Sequence, residues 1–404
     1  MKKYIILTPS IGNMGGAQMY VANKVNFLER KGWKVYVFYF NSYTKILIPA
    51  LEPYIHNQVL DMRYGCQYIP KYRLRQDISF MSSIIQYNED DVIVESQLVS
   101  LVGWGEILAE KLHGKHVVNY LEEKIDYSTP PLSIFMEFKL KRYEVLNSSL
   151  EILRRGFGES FKEEYLNYTH NQCFFCSNVV DFTKDQPLKI EKADYNILSI
   201  GRLDKPYIPK LLSEIKVFAS HHPDSRINFM MVGGSNSEEE EKSIVQSFTS
   251  QDNVNLIMFG YLFPVPINII KFADVGISSA NSILVTADQG VPTICIDMCD
   301  FDSIGVYGYT TTNKFHESRD DKQTLSEALD SVLFGNLANS GSRLNSANQD
   351  GERQFEDDLE YIGNNAQKKV YCDIIGMCSE KKLFIRRLMW YIHEYLGIKR
   401  KKRG

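Results

Sequence analysis

Several things are missing from this 404-residue chain, and each absence excludes a class. No stretch reaches the roughly 18 to 20 consecutive apolar residues that a membrane-spanning helix needs, so the chain is not expected to cross a bilayer. Cysteine is sparse and odd in number, seven residues scattered through the chain with no signal-peptide pattern ahead of them. That usage fits a reducing compartment, and a cytoplasmic location is expected. The Cys173–Cys176 pair in CFFC has metal or redox spacing, yet no second pair follows at zinc-finger distance. The phenylalanines between its thiols suit a buried strand, so no metal is expected. No G-x-G-x-x-G follows the first apolar run, which argues against a dinucleotide-dependent oxidoreductase.

What is present is a soluble composition, 44% hydrophobic and 24% charged, with length for two ordinary domains. The net charge of −4 conceals an asymmetry, because residues 381–404 carry nine Lys/Arg against one acid, Glu394. An acidic body of −12 argues against nucleic acid as a partner, and a +8 end points to an anionic surface.

Short apolar runs recur, each followed by a segment with helical spacing. YIILTPS (4–10), KVYVFYF (34–40), DDVIVES (90–96), KHVVNYL (115–121) and CFFCSNVV (173–180) form one series. YNILSIG (195–201), INFMMVGG (227–234), NLIMFGY (255–261), DVGISS (274–279) and PTICID (292–297) form a second. Continuous runs suit strands buried on both faces, and the alternation implies parallel β-α units. The fold class expected is therefore α/β, with two doubly wound, Rossmann-like domains over 1–182 and 187–375, joined near the polar stretch DFTKDQPLKIEKAD. Ser237 and Glu240 read as a capping box, which explains the acidic run at 238–241 without a site. Residues 335–367, rich in Asn, Ser, Gly, Asp and Gln, read as a long loop around at most one short helix.

Gly15 and Gly16 stand side by side where the first strand hands over to a helix. They form either a turn requiring positive φ or a place where backbone N–H groups meet an anion unobstructed. In the second half GRLDK (201–205), MMVGGS (230–235), MFGYL (258–262) and ADVGISSANSILVTADQGVPTICID (273–297) follow in order.

In that order and spacing, residues 1–300 resemble the GT-B glycosyltransferases, in particular the family 4 group that uses nucleotide-sugars. The resemblance implies two domains facing a cleft, a nucleotide-diphosphate-sugar donor, retention of configuration and no required metal or other cofactor. It also implies that Arg202 and Lys205, or Lys210 in place of Lys205, grip the diphosphate. Gly15 and Gly16 would approach the donor from the first domain, Asn281 and Ser282 would cradle phosphate, and the nucleobase would sit near Gly233, Tyr261 and Leu262. A diphosphate needs cations and converging N–H groups, which agrees.

The chain departs from that group in its acids. The position five before Gly290, where a glutamate is usual, is Val285, with Asp288 one turn on as the substitute. Where a first-domain histidine is usual, HVVNYLEEK offers Asn119, Tyr120, Glu122 and Glu123, and Glu122 is the candidate base or sugar ligand. These departures leave a catalytically silent, glycosyltransferase-like subunit open beside the enzyme. The tail from 381 to 404 reads as a basic amphipathic helix. It either packs back on the first domain through 381–398 or lies on an anionic membrane. The latter suits an enzyme acting on a glycan or lipid-linked acceptor at the inner face of the cytoplasmic membrane, in capsule or O-antigen type assembly.

Overall fold

In the computed structural model the chain divides into two compact units. One contains Met1–Asn13, Ala17–Phe174 and Glu352–Gly404, and the other Met14–Gly16 and Phe175–Gly351. The structure describes residues 2–12, 15–41, 46–86, 91–121, 126–146, 148–170, 189–235, 238–248, 250–262, 265–335, 351–368, 370–378 and 383–392. The CFFC pair, Glu122, Glu123, Ser237, the linker up to Leu188 and the terminal Lys399–Gly404 lie outside them.

The first unit holds a five-stranded parallel sheet of β1 (Lys3–Thr8), β2 (Lys34–Tyr39), β3 (Val92–Ser96), β4 (Lys115–Asn119) and β5 (Val145–Leu146), in the order β2-β1-β3-β4-β5. Every residue of β1 and β3 is buried, as continuous apolar runs demand when helices cover both faces. Its helices are α1 (Gly16–Arg30), α2 (Lys71–Ile85), α3 (Val102–Lys111), α4 (Leu132–Lys141) and α5 (Leu150–Phe157). In α2 the buried residues Leu74, Ile78, Met81 and Ile85 recur at helical spacing, which gives the helix one face for the core.

The second unit holds β6 (Tyr195–Ile200), β7 (Ile227–Val232), β8 (Val254–Gly260), β9 (Val275–Ser278), β10 (Thr293–Ile296) and β11 (Ser303–Val306), in the order β11-β10-β9-β6-β7-β8. All neighbours run parallel except β10 and β11. The helices are α6 (Ile208–His221), α7 (Glu238–Ser247), α8 (Ile267–Phe272), α9 (Ser282–Ala287) and α10 (Leu325–Leu333). Both halves are thus doubly wound α/β units, as the apolar runs imply. The two-residue β5 and the antiparallel β11 carry no such signal.

The end of the chain differs from the expectation. Helix α11 (Gly351–Asn365) is four turns long and belongs to the first unit, where the sequence reads as a loop and the second domain as extending to 375. Its core stripe is narrow: Phe355, Asp358 and Ile362 are buried, and the buried Ala366 follows the last turn. Phe355 meets the rings of Tyr20 and Phe27 at 5.5 and 5.4 Å. Lys115 Nζ donates to the Ile362 carbonyl at 2.9 Å. Helix α12 (383–392) also lies in this unit, with Trp390 in its core.

Buried ions brace the first unit. Glu95, inside the apolar run of β3, is fully buried and receives Lys24 at 2.7 Å, Tyr4 Oη at 2.6 Å, Gln97 Nε2 at 3.1 Å and Asn119 Nδ2 at 3.2 Å. Glu106 receives His116 Nδ1 at 2.6 Å, Lys139 Nζ at 3.0 Å and the Cys372 N–H at 2.8 Å. A carboxylate survives burial only when so surrounded. Burial opposes ionisation of Glu106, but Lys139 and His116 outweigh it and bring its pKa down to about 2.

Candidate functional site

In an open α/β sheet, ligands bind beyond the carboxyl ends of the strands where the winding reverses. In the second unit that point lies between β6 and β9, the neighbours from which the chain winds outward in opposite directions. Ser278, the last residue of β9, joins the two strands there, its Oγ within 3.2 Å of both the Ile200 N–H and carbonyl.

The residues after β6, β7 and β8 are held together by backbone. Gly201 N donates to Val232 O at 3.0 Å, Gly233 N to Gly260 O at 2.8 Å, and Leu203 N to Gly234 O at 3.1 Å. Gly233 has φ +140°, and a Cβ on it would lie 1.9 Å from the Gly201 carbonyl oxygen. Only glycine fits, because it tolerates this φ and allows the two turns to touch. A Cβ on Gly234 would lie 2.5 Å from the Tyr261 ring, so Tyr261 packs directly over that glycine, with Leu262 next to it and half-buried.

Arg202 stands just beyond β6. Its Nε bonds Asp204 at 3.0 Å with the side chain 39% exposed, and among the described residues its two terminal nitrogens carry no hydrogen bond. The outer edge of the guanidinium fork is therefore available to phosphate oxygens, the geometry at which arginine is most effective. Lys205 is half-buried on the same turn. Lys210 is engaged elsewhere: it bonds Asp302 at 2.5 Å and the Asp300 carbonyl at 3.2 Å, clamping α6 to the loop after β10.

Across the switch point, Ala280 holds φ +52°, an uncommon backbone for alanine, and its N–H bonds the Lys314 carbonyl at 3.0 Å. Asn281 and Ser282 follow and open α9. Asp288 lies at the other end of α9, exposed, roughly 9 Å along the axis from Ser282 at 1.5 Å per residue. It does not join Asn281. Val285, at the usual glutamate position, is buried in the core.

Three residues of this region have no motif to betray them. Lys314 is only 8% exposed, with Nζ 3.3 Å from Asn281 Oδ1. Tyr207 is buried at the start of α6, with Ser279, the residue after β9, acting on its hydroxyl. Burial pushes that phenol above its ordinary pKa, against the opposing effect of Ser279, so it stays protonated.

Asp297, Cys299 and His316 place three metal-capable atoms within 4.8 Å of one another beyond β10. Asp297 already receives Lys322 at 2.8 Å, His316 Nδ1 at 2.9 Å and the Cys299 and Glu317 N–H groups. Burial opposes its ionisation, yet these donors, Lys322 first, hold its carboxyl far below the usual range. The group clamps the loop.

Gly15 and Gly16 sit at the passage from β1 to α1, which begins at Gly16, and they group with the second unit. Asn119 ends β4 in place of a histidine and donates to Tyr20 Oη at 2.6 Å as well as to Glu95. It belongs to the buried ionic network. The neighbouring Tyr120 is buried and stacks on Tyr127 at 5.4 Å.

No family model and no curated protein matches the sequence. Solved structures match over nearly the whole chain. The apo lipopolysaccharide outer core galactosyltransferase WaaB superposes with a TM-score of 0.52 at 13% identity, covering 90% of this chain and 99% of that one. This is the GT-B fold. The same fold is shared with Anabaena Alr3699/HepE, solved in complex with UDP-glucose, at a TM-score of 0.51 and 12% identity over 89% of this chain and 100% of that one. It is shared as well with a glycosyltransferase from Rickettsia africae, at a TM-score of 0.52 and 15% identity over 96% and 98%. Within the GT-B fold, the glycine-lined strand ends and Arg202 lie at the switch point of the second unit.

Proposed function

We propose that this chain is a glycosyltransferase that moves a sugar from a nucleotide-diphosphate-sugar to a glycan or lipid-linked acceptor, with retention of configuration. The carrying observation is Arg202, its terminal nitrogens open, beside Gly201 and Gly233 at the switch point of a Rossmann-like sheet. Arg202 and Lys205 neutralise the diphosphate as it leaves, so that departure needs no metal. Gly233, Tyr261 and Leu262 border the nucleoside end, Asn281 and Ser282 the phosphates, and Lys314 adds a second cation. Gly15 and Gly16 leave the first unit's helix start open toward the sugar, with Glu122 as the acceptor base and Asp288 as an outer donor contact. The acidic body argues against nucleic acid as a partner. The basic C-terminal stretch draws the protein to an anionic surface at the inner face of the cytoplasmic membrane, in capsule or O-antigen type polysaccharide assembly.

A second reading is favoured by Val285 and Asn119, which put a core side chain and a structural amide where acid and imidazole are usual. It is a silent, nucleotide-binding subunit. Calorimetry with UDP, GDP and TDP and their sugars, beside a transfer assay, tests both. Arg202→Ala should weaken nucleotide diphosphate binding about 10- to 100-fold, since a charge-assisted bond contributes roughly 1.5–3 kcal/mol. Gly16→Val should reduce transfer more than nucleotide affinity. Stabilisation by NADH and by no nucleotide-sugar would refute the transferase, and binding without transfer or donor hydrolysis would select the silent subunit.

A further inference from the structure

Helix α12 is mounted on the first unit by one narrow stripe. Leu383 and Trp390 are buried, and Arg387 between them is half-buried, its Nη2 3.5 Å from the Gln67 carbonyl. The Arg386 guanidinium lies 5.5 Å over the Tyr68 ring. Phe384, Ile385, Leu388, Met389, Tyr391 and Ile392 are all between 47% and 68% exposed. At about 100° per residue these six form one continuous arc of roughly 160°, opposite the mounting stripe. A surface helix of a soluble domain ordinarily turns such an arc inward. Here it faces out.

The border of the arc is cationic and aromatic. Arg386 flanks one side. On the other Tyr391 lies close to the exposed Tyr72, and the first turn of α2 around Tyr72 exposes Lys71 and Arg75. The sequence continues to the cationic run Lys399–Arg403.

We propose that the outward face of α12 is a membrane-insertion surface: the helix lies in the plane of an anionic bilayer with its six apolar side chains at the boundary between headgroups and acyl chains. An apolar arc with cations at its edge and tyrosines at headgroup level matches that boundary. Among the described residues no helix is long and apolar enough to cross a membrane, and an exposed arc along one side of α12 suits an in-plane orientation. A second copy of the chain fits less well. Six side chains fall short of the roughly 20–30 residues a side of a standard interface, and two-fold pairing would bring like-charged borders together.

The proposal is independent of the transfer chemistry, and it differs from attraction by the basic tail in how it responds to salt. The full chain is sedimented with vesicles of phosphatidylcholine containing about one-third phosphatidylglycerol, and binding persists at about 0.5 M salt, where exposed charges are screened. Leu388→Ser with Met389→Ser lowers vesicle affinity about 30-fold, through loss of the remaining apolar burial of two side chains, with thermal unfolding unchanged. Phe384→Ser, at the most exposed of the six, moves affinity several-fold the same way and guards against misfolding of the double variant. Unchanged affinity in both variants, or complete loss of wild-type binding at high salt, overturns the proposal. Light scattering that shows a wild-type dimer split by the substitutions also overturns it and assigns the face to a second copy. Nucleotide calorimetry on the same samples, unaffected by these changes, keeps this test separate from that of the donor site.

Discussion

Two sets of charges, one in each unit, are placed in opposite ways. In the first, Lys24, Glu95, Glu106, His116 and Lys139 are buried and saturated with partners, and they fasten strands, helices and the returning C-terminal segment to one another. In the second, Arg202 stands at a strand end with partial exposure, beside glycines that remove side chains from its surroundings. A charge encircled by donors or acceptors is part of the scaffold, whereas one left half in solvent over a bare backbone has capacity for a ligand. Residue type alone does not separate the two. Burial does.

The largest test of this contrast is Lys24→Met. Lys24 and Glu95 have fully buried side chains 2.7 Å apart, and removing one partner strands the other charge. The first unit should lose about 3–5 kcal/mol, read as a lower thermal transition, with nucleotide affinity unchanged. A loss below about 1 kcal/mol would mean that the network is not a brace.

Acid provides the next test. Glu106 has its pKa depressed to about 2 in the folded chain, from 4.5 when free. Its contribution is complete above about pH 4.5 and is lost as pH falls through about 2, a span of roughly 3 kcal/mol. Unfolding curves followed from pH 6 down to about pH 2 should show that slope in the wild type and a shallower one in Glu106→Gln. Parallel curves would reject the assignment.

The smallest expected effect separates the two candidate lysines of the second unit. Lys210 is committed to Asp302 and the Asp300 carbonyl. Lys210→Ala should therefore change nucleotide affinity less than about twofold and stability by no more than about 1 kcal/mol, as for other partly exposed pairs. Lys205→Ala should weaken binding. The reverse result, by calorimetry, would exchange their roles.

The sheets are legible in the sequence because a parallel strand buried on both faces must be a continuous apolar run, and nine of the ten expected runs lie on strands. The tenth, 173–180, falls outside the described residues. β5 has only two residues and β11 lies at an edge, so neither produces a run. Helix α11 is hidden because so few of its side chains need to be apolar once Asp358 and the Gln367 backbone also find partners in the first unit. At the candidate site, Arg202 and Gly233 are marked by local motifs. Tyr207, Ser279 and Lys314 are not, since only the winding of the sheet brings those three elements to one place. Asp288, one turn beyond the buried Val285, lies exposed at the end of α9.

The return of α11 to the first unit also sets a schedule for synthesis. β5 is complete at Leu146, but the helix that supplies Phe355 and Asp358 to the same core begins about 200 residues later, at Gly351. At roughly 5–20 residues per second, the nascent first unit waits on the order of 10–40 s for its last piece while the whole second unit is made. During that interval the faces of Tyr20 and Phe27 that later receive Phe355 are uncovered, and the buried Lys24 is one carboxylate short. The unit at the beginning of the chain is thus the last to be finished.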